Sequence, residues 1–163
     1  MYFFMILIYL LTGFSFIALL LTGIQGYFEF YVISANHVTF GFFTAIIYLF
    51  TEVLVMFFFV GTGVSIKEYI QEKGVSTEFH KNSLAIKRKL YPPTLTNVFL
   101  VMTVFIIGGG VDTGSIPGWM HGILFLFALY HFTTTIRTQH NCFKENTALI
   151  LEMTKLQPNS TTE

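Results

Sequence analysis

Residues 37–60 read HVTFGFFTAIIYLFTEVLVMFFFV, with Glu52 the one charged side chain among them. A membrane-crossing helix needs about 20 mostly apolar residues to bridge a hydrocarbon core of about 30 Å, and this stretch meets that length. The other structure that satisfies its own backbone inside lipid is a closed β-barrel, whose strands alternate apolar and polar residues. The run Val53-Leu54-Val55-Met56-Phe57-Phe58-Phe59-Val60 does not alternate. The fold class expected from it is all-α.

Three further stretches share this character. Residues 1–28, 94–111 and 119–138 join 37–63 as four expected transmembrane helices. Outer loops 29–36 and 112–118, a cytoplasmic helical connector 64–93, and a cytoplasmic C-terminal helix and tail 139–163 complete the division. The first stretch lacks the basic leading segment and small-residue cleavage site of a secretory leader, so it is expected to be a retained span. Composition agrees with a membrane setting. The 163 residues are 53% hydrophobic and 11% charged, where a soluble domain carries about 25% charged residues. Mean hydropathy is +0.65. Nine Lys and Arg balance nine Asp and Glu, which leaves no phosphate-neutralising patch and argues against a nucleic-acid partner. The single cysteine, Cys142, excludes a disulfide framework or a multi-cysteine metal site.

The basic residues set the orientation. None occurs from Met1 to Ile66 or from Leu90 to Ile136; all lie in the connector (Lys67, Lys73, Lys81, Lys87, Arg88, Lys89) or in the C-terminal segment from the inner end of the fourth span onward (Arg137, Lys144, Lys155). The positive-inside rule then puts both termini and the connector in the cytoplasm. Tyr27, Phe28, Phe30, Tyr31 and Trp119 fall where an outer aromatic belt belongs. The expected architecture is a polytopic membrane protein, a four-transmembrane-helix bundle with cytoplasmic helical extensions, in a bacterial-type inner membrane. Its expected partners are the lipid bilayer and other membrane subunits or further copies of itself.

Good helix formers from Ser65 to Lys73, with Gly74 as a stop, extend helix beyond the second span; if continuous from His37, that helix would be about 55 Å long. Ser76-Thr77-Glu78 starts the next helical piece, whose Phe79, Ile86 and Leu90 share a face. Tyr91-Pro92-Pro93-Thr94 is expected to end that piece and restart the third span, because proline suits a helix's first turn and not its interior. Gly108-Gly109-Gly110 is expected to loosen the outer end of that span. Cys142, close to the membrane, is placed for palmitoylation.

Polar residues inside lipid are costly and usually face a bundle interior. On the second span, His37, Thr44, Tyr48 and Thr51 make one stripe, with Gly41 in it and Glu52 about 60° from His37. The fourth span opens with His121 and carries His131 about 15 Å deeper. Both spans run inward, so His37 and His121 should share a depth, and Glu52 and His131 should differ by only about 7 Å.

Two chemistries follow. His37 and His121 suit the axial positions of a bis-histidine haem b, with Gly41 and Gly122 leaving room for the macrocycle. Adding Asp112 would make a His/His/Asp site for copper or zinc. Alternatively, Glu52, His131, Tyr48 and Thr51 form a proton path, or a buried polar pair in which Glu52 bonds His131 or Thr51. The functional expectation is a small integral membrane subunit of a redox or electron-transfer complex. The alternatives are a non-catalytic accessory or assembly subunit, and a proton-coupled carrier or channel element. No serine sits in a hydrolase motif, so no catalytic constellation of the chain's own is visible.

Overall fold

The computed structural model describes residues 2–155. It is all-helical, with α1 (Tyr2–Phe28), α2 (His37–Lys73), α3 (Glu78–Asp112) and α4 (Gly118–Lys155) running alternately up and down. Helices α1, α2 and α3 are long and apolar enough to cross a membrane. Helix α4 is as long as α2, but His121, His131 and Thr133-Thr134-Thr135 dilute its apolar half. The chain is thus a helical protein of membrane character.

Each helix packs against the next in sequence, while α1 and α4 meet only sparsely. Helices α2 and α4 are therefore diagonal partners that face each other across the bundle centre. Helix α2 begins at a built cap: Asn36 accepts the Thr39 N–H at 2.9 Å. It ends at Gly74, whose left-handed backbone (φ 67°) closes the helix by donating to the Ile70 carbonyl. Between those ends it is unbroken, and its Thr44, Tyr48, Thr51, Glu52, Val55 and Phe59 are buried.

Two expectations about α3 are corrected. Pro92 and Pro93 lie inside one continuous helix and do not divide connector from span. Each proline leaves the carbonyl four residues earlier, Arg88 and Lys89, without its helical donor. Packing on both flanks outweighs that loss: Leu90, Thr94 and Asn97 are fully buried around the prolines. The second correction is at Gly108-Gly109-Gly110, which stays helical. A side chain at Gly108 would meet the His121 ring, and one at Gly110 would meet Ile116, so these glycines permit close approach. The connector reduces to the turn 74–77, since its flanks are the ends of α2 and α3. Likewise the C-terminal helix is the unbroken end of α4, and residues 156–163 lie outside the described part.

The core is layered. One cluster, toward the 74–77 turn, gathers Val55, Phe59, Ile66, Phe79, Ile86, Leu90, Cys142 and Phe143. A second cluster, toward the opposite end, holds Leu19, Tyr48, Val101, Val104, Ala128 and Phe132. Cys142 is 1% exposed, and burial pushes its thiol up to about 11. A buried, protonated thiol is a poor nucleophile, which corrects the expectation of palmitoylation there.

Candidate functional site

The first turns of α2 and α4 bring their leading histidines together. The His37 and His121 rings are 6.2 Å apart between centroids, with planes at 75°. His37 Nδ1 donates to the Thr22 carbonyl of α1 at 3.1 Å, which places a proton on that nitrogen and orients the ring. His121 Nδ1 is buried without a hydrogen-bond partner, although the Val104 carbonyl lies near its ring. Glycines seat both rings. A Cβ on Gly26 would stand 2.9 Å from His37 Cε1, and one on Gly108 would stand 3.0 Å from His121 Cε1. The glycines named from the sequence face elsewhere: Gly41 looks at Thr22 and Gly122 at the Tyr27 hydroxyl, both on α1.

The three-residue metal variant is not assembled. Among the described residues, no group of three His, Cys, Asp or Glu is gathered to hold an ion. Asp112 is exposed at the last position of α3, held outward by the end of its own helix. The site therefore holds two imidazoles, each seated on a glycine, with His121 Nδ1 left without a partner. The room for a macrocycle expected at Gly41 and Gly122 is not at the histidines, and the space beside Gly26 and Gly108 is taken by the imidazoles themselves.

Deeper in the bundle lies a layer of polar side chains from all four helices. Asn97 Nδ2 donates to the Tyr48 hydroxyl at 2.7 Å, so its Oδ1 accepts from His131 Nδ1 at 3.0 Å. Thr135 approaches the same His131 nitrogen at 3.3 Å and donates to the Pro93 carbonyl. Thr51 pairs with Ser15 of α1 at 3.0 Å and donates to its own helix at Ile47. Glu52 is fully buried. Its Oε2 accepts from Gln139 Nε2 at 2.6 Å, and that amide also reaches Thr94 at 3.4 Å. Its Oε1 is buried without a partner. The partner of Glu52 is thus Gln139, whereas His131 and Thr51 are each committed to other groups.

Sequence reading missed Gln139, Asn97, Thr94 and Gln25. Gln139 reads as cytoplasmic because Arg137, His140 and Lys144 surround it, yet it is 3% exposed. Gln25 is fully buried and donates to the Phe30 and Ala35 carbonyls, both at 2.8 Å. It therefore pins the 29–36 loop against α1. The available signal was the same for Gln25 and Asn97: an uncharged amide inside an otherwise apolar run.

Compared with known protein families, curated proteins and solved structures, the chain matches none. The functional reading rests on the site alone.

Proposed function

We propose that the protein is a small integral membrane subunit of a redox complex, built as four spans with both termini cytoplasmic, that holds one haem b between His37 and His121. The observation that carries this reading is the meeting of two imidazoles from diagonal helices. The two rings stand 6.2 Å apart between centroids, so His37 from α2 and His121 from α4 would be the residues that hold the group. The Thr22 carbonyl orients His37 and makes it a better ligand, as second-shell acceptors do. Gly26 and Gly108 let each ring press against a neighbouring helix, which limits tipping. A haem b held there by His37 and His121 would supply one-electron transfer.

In the proposed topology the imidazoles lie at the outer end, beside loops 29–36 and 113–117. The electron partner would then dock on that face. The test is an absorption spectrum of the protein purified in mild detergent from haem-replete cells. A Soret band that is lost in both His37→Ala and His121→Ala supports the proposal. A colourless, folded protein overturns it and favours the accessory role, which co-purification of a stable larger complex would then support.

A further inference from the structure

The polar layer around Glu52 is not used by the imidazole pair, and it does not depend on a haem. We infer that Glu52 is a proton-exchanging site, occluded in the middle of the bundle. The carboxyl is fully buried, one oxygen has only an amide donor, and the other has no partner. Neither of the two ion pairs among the described residues includes it. The groups facing it or its layer come from every helix. Ser15 on α1, Thr94 and Asn97 on α3 and Gln139 on α4 carry no charge; the titratable neighbours are Tyr48 on α2 and His131 on α4.

A carboxylate in such a place lacks the cation or the several donors that an ionised group needs in a low dielectric. A proton is the counter-charge that requires no cavity, and the unpartnered Oε1 is the atom to carry it. Apolar layers seal the site on both sides. Val55, Phe59, Leu90 and Phe143 lie on the cytoplasmic side. Leu19, Val101, Val104 and Ala128 lie on the outer side, around a cavity of about 20 Å³. That space is near the size of one water, and its all-apolar lining keeps it dry. Exchange therefore requires the bundle to open, and the sparse α1–α4 contact marks the weak seam. In the step itself, the O–H bond at Oε1 breaks, its electron pair stays on the carboxylate, and the proton passes to water on the side that opens.

The experiment uses the full chain in liposomes and a hydrophobic carbodiimide, which reacts with protonated carboxyls, followed by mass mapping. The expected result is labelling at Glu52 near neutral pH that declines reversibly as pH rises. Infrared spectra before and after transfer to heavy water supply a second measurement. The protonated-carbonyl band missing in Glu52→Gln should shift in heavy water within the time of carbodiimide labelling. Label confined to other acids overturns the proposal, as does a Glu52 band that neither shifts nor responds to pH while the fold is intact. Loss of label on adding sodium at fixed pH also overturns it, in favour of a metal cation. The haem spectrum does not enter these readouts, so either reading can fail alone.

Discussion

A glycine can position a ligand as firmly as a hydrogen bond. At Gly108 and Gly26 the imidazoles occupy the space that a Cβ would fill, so Gly108→Val should push His121 off its seat. The expected outcome is loss of any chromophore with helix content unchanged by circular dichroism. Gln25 acts differently, by holding two loop carbonyls from a fully buried position. Gln25→Leu removes both donors, at a cost of about 1–3 kcal/mol, read as a lower midpoint in thermal unfolding. Cys142 carries the clearest pH dependence. Its folded thiol titrates at about 11 against an ordinary 9.0, because burial favours the neutral form. As pH rises past 9 the unfolded state gives up the proton first, so stability falls across that window up to about 11. Cys142→Ala should flatten this part of the stability profile, and maleimide should modify the folded wild-type thiol slowly at neutral pH.

At the scale of elements, what could be read in advance was what local chemistry settles. Helix α2 was legible over its length because an apolar run, good helix formers and a terminal Gly74 all agree, while its Asn36 cap went unread. Its inward stripe was legible because polar groups in lipid have few places to go. Pro92-Pro93 was misread because the rule for proline is local, whereas the packing of Leu90, Thr94 and Asn97 that overrides it is tertiary. Pro92→Ala should restore a donor toward the Arg88 carbonyl and raise the thermal midpoint, by up to about 3 kcal/mol in stability; a lowered midpoint would show that the proline's own packing matters more. The Glu52–Gln139 bond was illegible for a related reason. It joins diagonal helices whose residues lie 87 apart in sequence, and nothing local distinguishes that glutamine from its charged neighbours.

The whole molecule is a bundle closed along three sides and thin along the fourth, where α1 faces α4. Beside the start of α1 a groove of about 530 Å³ lies between α2 and α4, lined by Phe4, Phe57, Tyr69 and Met153 among others. Diagonal contacts dominate the chemistry: His37 with His121, Tyr48 with Phe132 at 5.1 Å, and Glu52 with Gln139 all join α2 to α4. The central claim is that the outermost of these contacts is a ligand pair. The most direct measurement is the visible spectrum of the purified, haem-replete protein, oxidised and then reduced with dithionite. The account predicts a Soret band with sharpened low-spin bands on reduction, present in wild type and Glu52→Gln and absent in His37→Ala and His121→Ala. A folded wild-type protein without a Soret band, or a band that survives both histidine substitutions, would contradict it.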